Sequence, residues 1–216
     1  MAKNGDTELW ALAHAERAAL AEDLSGLATE QWHQATLCRE WNVEQVVAHL
    51  TAAASIGQLR WIRSMLGARF RPDVHNFRRL NEQMGATPAE TLTRFRAIIT
   101  STTAPTADTA AYLGEVVVHA QDIRRPLGLA GAPSIDALTP VAEFFASRNF
   151  AVSSKSNAAG LRLQADDGRF AFGEGALVIG PTLALVMALA GRAAYLEDLQ
   201  GPGVQVLRSR LDKIGN

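Results

Sequence analysis

Apolar residues recur at three- and four-residue spacing over the first 150 positions, and strict alternation appears only beyond residue 160. That order constrains the chain to be helical first and mixed α+β last. The stretch from Leu9 to Leu24 predicts an amphipathic helix ending near Gly26. Asn42, with Gln45 three residues on, has the chemistry of a capping box and predicts a helix from Val43 to about Leu66, with His49 in its second turn. Pro72-Asp73 opens a helical stretch through Met84. Thr87-Pro88-Ala89-Glu90 then supplies an N-cap, a proline at the first helical position and a capping-box glutamate for a helix ending near Thr100. A loop over Ser101 to Asp108 precedes a helix running to about Gly128, and another fits Ser134 to Asn149 despite Pro140.

The pattern then changes. Leu161 to Ala165 alternates at strand period, Asp167-Gly168 signals a hairpin, and Arg169 to Phe172 reads as a returning strand. Ala176 to Ile179 is a candidate third strand, and Gly180-Pro181 opens a helix reaching Gly191 or beyond. The expected organisation is a mainly α protein: a helical bundle over residues 1–152 and a small α+β domain over residues 153–216.

Composition narrows the function. Twenty-one basic and 22 acidic side chains give a net charge of −1, so the chain has no general attraction for nucleic acid or for an anionic membrane. The single cysteine, Cys38, excludes an internal disulfide and fits a reducing compartment. The longest apolar run, Ala176 to Ala190, is broken by Gly180-Pro181 and is shorter than the ~20 residues of a membrane helix. With a polar start that lacks the pattern of a signal peptide, the expected location is cytoplasmic.

Chemistry concentrates at Glu115 and His119, four apart in Tyr112-Leu-Gly-Glu-Val-Val-Val-His119 and therefore on one helical face. His49 sits upstream in a similar setting, Val46-Val47-Ala48-His49-Leu50. Three such nitrogen and oxygen donors around one ion would leave a coordination position open, as catalytic metals require. Spacing alone leaves two readings standing, a shared metal and hydrogen-bonded polar groups in the core. Cys38 reads as structural, Trp41 as a core or boundary aromatic, His14 and His75 as surface or packing residues, and Arg124 and Arg125 as anchors of a helix end.

The run from Cys38 through Trp41, Asn42 and His49 to Leu50 resembles the first signature of the mycothiol-dependent maleylpyruvate isomerase family, a branch of the DinB-like superfamily. Gly114-Glu115-Val-Val-Val-His119-Ala-Gln-Asp122-Ile-Arg124-Arg125-Pro-Leu-Gly128 resembles the second. Asp166-Asp167-Gly-Arg169, Gly180-Pro181, Gly191-Arg192 and Leu199-Gln-Gly201-Pro-Gly203 are similar to the family's C-terminal region, so the likeness spans nearly the whole chain. It implies an up-and-down four-helix bundle with a small C-terminal α+β unit, and His49, Glu115 and His119 as metal ligands. Zinc is the implied ion, with nickel, manganese or iron as alternatives. The implied cosubstrate is mycothiol, activated as thiolate, and the implied substrate a small electrophile that is isomerised cis to trans or takes up the thiol. Arg192 matches a family arginine associated with binding a substrate carboxylate. Asp122 has two readings, a hydrogen-bond acceptor for a ligand imidazole and an ion-pair partner of Arg125. A non-catalytic metal-binding module of ligand-binding or regulatory type is the alternative function. The resemblance leaves the electrophile and the oligomeric state open, a homodimer included.

Overall fold

The computed structural model describes residues 2–214, with side chains described from 5 to 213. The chain forms two compact units, Met1–Ala132 and Pro133–Asn216.

In the first unit, α1 (Ala2–Ser25) is followed by a 3-10 turn (Thr29–His33), α2 (Val43–Ala53), α3 (Gln58–Gly67), α4 (Pro72–Gln83), α5 (Pro88–Ala97) and α6 (Thr109–Leu127). Helices α1, α2, α5 and α6 form the four-helix bundle, α1 packing on α6 and α5 and α2 on α5 and α6, while α4 lies along α2. Leu20, Val46, Val47, Leu50, Phe95, Tyr112, Val116 and Ile123 fill the core between them.

The caps explain the boundaries. Asn42 Oδ1 accepts from the Gln45 amide at 2.9 Å and Gln45 Oε1 accepts from the Asn42 amide at 3.0 Å, the reciprocal pair that the spacing predicts. Asp108 caps α6 through the Ala111 amide, and Gly128 ends that helix in the left-handed conformation at φ 64°. The single helix expected from Val43 to Leu66 is instead two, α2 and α3. Thr51 and Ser55 each turn a hydroxyl onto the carbonyl four residues earlier, Val47 and Thr51, and Gly57 stands as the N-cap of α3. Hydroxyls competing for helix carbonyls just ahead of a glycine end α2 where apolar periodicity alone would continue it.

Among the largest of the fully buried side chains is Arg17 on α1, which is 1% exposed. Its guanidinium donates to the carbonyls of Ile98, Ile99 and Ser101 at 3.0, 3.0 and 2.8 Å and to the Tyr112 hydroxyl, and lies 4.9 Å from the centre of the Tyr112 ring. One side chain thus satisfies the carbonyls at the end of α5 while gripping α6. Burial pushes the Tyr112 phenol up to about 12 against the pull of the Arg17 charge, so it stays a neutral acceptor at ordinary pH.

The second unit comprises α7 (Ile135–Ser147), α8 (Ser154–Ala158), β1 (Leu161–Ala165), β2 (Ala171–Phe172), β3 (Ala176–Gly180), α9 (Thr182–Leu189), a 3-10 turn (Ala193–Asp198) and α10 (Gly203–Ile214). The sheet order is β2-β1-β3, with β2 antiparallel to β1 (Leu163 opposite Phe172) and β3 parallel to it (Leu163 opposite Val178). Gly173 and Gly175, at φ 74° and 124°, carry the chain tightly past the carbonyls of Leu161 and Gly160 to reach the far side of β1. The apolar α9 packs on α7 and the sheet. Because α7 finds its partner in α9, the division falls between residues 132 and 133, whereas helical periodicity alone groups α7 with the bundle and suggests a boundary after residue 152. No described helix is long and apolar enough to cross a membrane.

Replacing Arg17 by Met keeps the volume but takes a donor from three part-buried carbonyls. Ile98 keeps the Ser101 amide and Ser101 the His14 imidazole, so among the described residues Ile99 is left without one, at a cost of about 1–3 kcal/mol. Urea denaturation of Arg17→Met should show a loss of at least about 1 kcal/mol. A loss under about 1 kcal/mol would mean that other donors serve those carbonyls.

Candidate metal centre

His49 lies near the middle of α2, and Glu115 and His119 lie one turn apart on α6. Packing of α2 on α6 brings the three together: His49 Nε2 stands 3.0 Å from Glu115 Oε1, and a ligand atom of each residue lies within 4.8 Å of those of the other two. The side chains of His49, His119 and Glu115 are 12%, 13% and 25% exposed, so the cluster is walled by the bundle yet reachable from solvent.

Burial alone would raise the Glu115 carboxyl, but the His49 hydrogen bond and the charges of His49, His119 and Arg17 outweigh it and hold the group below the ordinary glutamate range. Glu115 is therefore an anion facing two imidazoles. Three residues along α6, Asp122 is fully buried, and its Oδ2 lies 3.0 Å from His119 Nδ1. An ionised carboxylate can only accept, so Nδ1 carries a proton, and in the neutral ring Nε2 keeps the lone pair. This is the arrangement that orients a metal-binding histidine.

A proline organises the far wall. Pro126 has no amide hydrogen to give the carbonyl of Asp122, four residues earlier, and that carbonyl accepts from the Leu37 amide at 3.0 Å instead. The hydrogen bond draws the segment before α2 against α6. Trp41 is thereby set beside both histidines, with ring centres 4.6 Å from His49 and 6.1 Å from His119. Sequence reasoning missed that role and treated Trp41 as packing; its position immediately before the N-cap Asn42 was the available signal. Cys38 also reaches α6, forming with His119 and Asp122 a second group whose ligand atoms lie within 4.8 Å of one another. In that group the Asp122 carboxylate is sealed from solvent and already engages His119, so the His49, Glu115 and His119 set is the better candidate for an ion.

The donor set suits a divalent metal: two imidazoles and one ionised carboxylate, convergent and accessible on one side. Arg192 lies in the second unit, at the start of the 3-10 turn, where it donates to the Ala190 carbonyl at 2.8 Å. Arg124 does more than anchor a helix end. It is buried, with Nε donating to Asp23 of α1 at 2.7 Å and Nη1 lying 3.8 Å from Glu16.

Fold and cluster together define a class, a four-helix bundle with a His-Glu-His cluster between two of its helices. Residues 13–111 match the family model of the mycothiol maleylpyruvate isomerase N-terminal domain. The match contains His49 and ends before Glu115. Two crystal structures, of the mycothiol-dependent maleylpyruvate isomerase and of a histidine-to-alanine mutant of it, are similar to the chain with TM-scores of 0.62 and 0.63. Each shares 15% identity, covering 91% of this chain and 92% of the other. No curated protein matches by sequence. The chain is thus similar to the mycothiol maleylpyruvate isomerase family in sequence over residues 13–111 and in fold over most of its length.

The depressed Glu115 carboxyl gives a stability test with a fixed sign. A carboxyl whose folded value lies below its unfolded value contributes stability above the unfolded value, about 4.3, and loses it as pH falls through the folded one. In metal-free protein, Glu115→Gln should therefore flatten the acid limb of the stability profile below about pH 4.3. An acid limb as steep as in the wild type would show that the His49 contact stabilises nothing.

Proposed function

We propose that this protein is a mycothiol-dependent enzyme, an isomerase or S-transferase acting on a small electrophile, with a divalent metal held by His49, Glu115 and His119. The observation that carries the reading is the convergence of those three side chains in a bundle similar to that family's. Zinc suits the donors, and nickel, manganese and iron are the competing ions. When bound there, a divalent ion supplies Lewis acidity that lowers the pKa of a thiol and favours the thiolate.

The rest falls to the chain. Glu115 offsets positive charge at the cluster, and Asp122 holds His119 in the tautomer whose Nε2 lone pair can bind. Trp41 flanks both histidines and would shield that side of the cluster from water, where a thiolate is more reactive in a drier setting. In the isomerase form of the reaction, the mycothiol thiolate adds to a cis double bond, the resulting single bond rotates, and the thiolate leaves to give the trans product. In the transfer form it stays attached as an S-conjugate. Arg192 is the residue the family resemblance offers for a substrate carboxylate, and its planar fork suits one. The reading places the enzyme in the cytoplasm, with no nucleic-acid or membrane partner.

Metal analysis of the purified protein tests the first step: stoichiometric metal is expected in wild type and its loss in His49→Ala and Glu115→Ala. Wild type holding none under metal-replete conditions would end the proposal. Asp122→Asn should keep the fold and weaken metal binding about 10- to 100-fold, read by competition with a chromogenic chelator. Metal-loaded protein given mycothiol and an electrophile should speed conjugation or cis-trans conversion; tight thiol binding without turnover would instead identify a ligand-binding module.

A further inference from the structure

The most lopsided charge in the chain lies outside the cluster. Residues 58–83, covering α3, α4 and their connection, carry six arginines against only Asp73 and Glu82, in a protein whose net charge is −1. Arg60 and Arg63 of α3, with Ser64, and Arg79 of α4 line a cavity of about 180 Å³. Among the described residues no carboxylate lies within ion-pair distance of Arg60 or Arg63, and Arg79 pairs through Nη2 with Glu82. The Nε of Arg79 is buried with no hydrogen-bond partner. An unsatisfied buried donor of that kind is destabilising unless something accepts from it.

We infer that this cavity is a binding site for an oxyanion group, carboxylate or phosphate, of a small molecule, held by the guanidinium groups of Arg60, Arg63 and Arg79 with the Ser64 hydroxyl. Guanidinium forks match the geometry of both groups, and a ligand oxygen would give the Arg79 Nε the acceptor it lacks. The cavity has room for the anionic end of a small molecule and not for a polymer, which fits a chain with no general attraction for nucleic acid. Its location ties it to the cluster. Ser64 bonds to His75 Nδ1 at 2.9 Å, and α4, which carries His75 and Arg79, packs along α2, which carries His49. Burial first, then the charges of Arg79 and His49, lower the His75 pKa. Resting on the proposed function for the ligand's identity, the site would select electrophiles or thiols that bear an acidic group.

Isothermal titration of the full chain with inorganic phosphate and, separately, with succinate tests this directly. Wild type should bind at least one of them with a millimolar or tighter Kd that weakens with added sodium chloride, and the tighter of the two names the group. The double variant Arg60→Gln/Arg63→Gln changes two exposed side chains, so it should keep the wild-type melting temperature and metal content while losing about tenfold or more in anion affinity. Arg79→Gln should show the same loss. Absence of binding by wild type, or unchanged affinity in the double variant, overturns the inference. Metal content and conjugation of an uncharged electrophile report separately on the proposed function: anion binding by a protein that holds no metal would sink only that function, and full metal content without anion binding would sink only this site.

Discussion

The Arg17 guanidinium is the interaction on which the rest of the bundle depends. A buried cation is costly unless it is well hydrogen-bonded, and here both terminal nitrogens are engaged, Nη1 by the carbonyls of Ile98, Ile99 and Ser101 and Nη2 by the Tyr112 hydroxyl. Those carbonyls lie just past the end of α5, where Ile98 also accepts from the Ser101 amide and Ser101 pairs with His14, while Ile99 has no other donor among the described residues. Arg17 therefore fixes where α5 stops and, through Tyr112, how α6 sits against α1. Glu115 follows Tyr112 by three residues on the same helix, so the grip that seats Tyr112 also sets the height and rotation at which Glu115 meets His49.

Asp122 ties the other end of the site together with two different groups. Its carboxylate engages His119, and its backbone carbonyl, released by Pro126, accepts from Leu37. A helix interior normally uses that carbonyl itself. The proline converts it into a tether for the segment carrying Cys38 and Trp41. A defect in α6 thus builds a wall of the site, and Gly128 ends the helix within a turn before further distortion accumulates.

What the sequence made legible was local. The Asn42 and Thr87 caps, the Glu115 and His119 spacing and the alternation of Leu161 to Ala165 all depend on residues within five positions of one another. What it concealed depends on distant partners. Arg17 reads as one polar position on an amphipathic helix, and its partners lie more than 80 residues away. The break at residues 54–57 hides because the apolar residues on either side stay in helical phase, and only the hydroxyls of Thr51 and Ser55 ahead of Gly57 mark it. The place of α7 is invisible for a similar reason, since its apolar face is like those of the bundle helices and only the tertiary partner α9 assigns it.

Arg17 and Glu115 are both charged groups within one bundle, but they obey different logic. Arg17 is sealed and engaged through both terminal nitrogens, so its charge supports architecture. Glu115 keeps a quarter of its side chain open beside two histidines that are themselves partly open. Well-packed apolar side chains at those three positions would hold α2 to α6 at least as firmly, because a buried ion pair recovers little beyond its desolvation cost. Stability therefore does not account for the cluster. An anion held ionised by two imidazoles, one of them oriented by a buried carboxylate and both flanked by an indole, has its use in what it can bind from the open side.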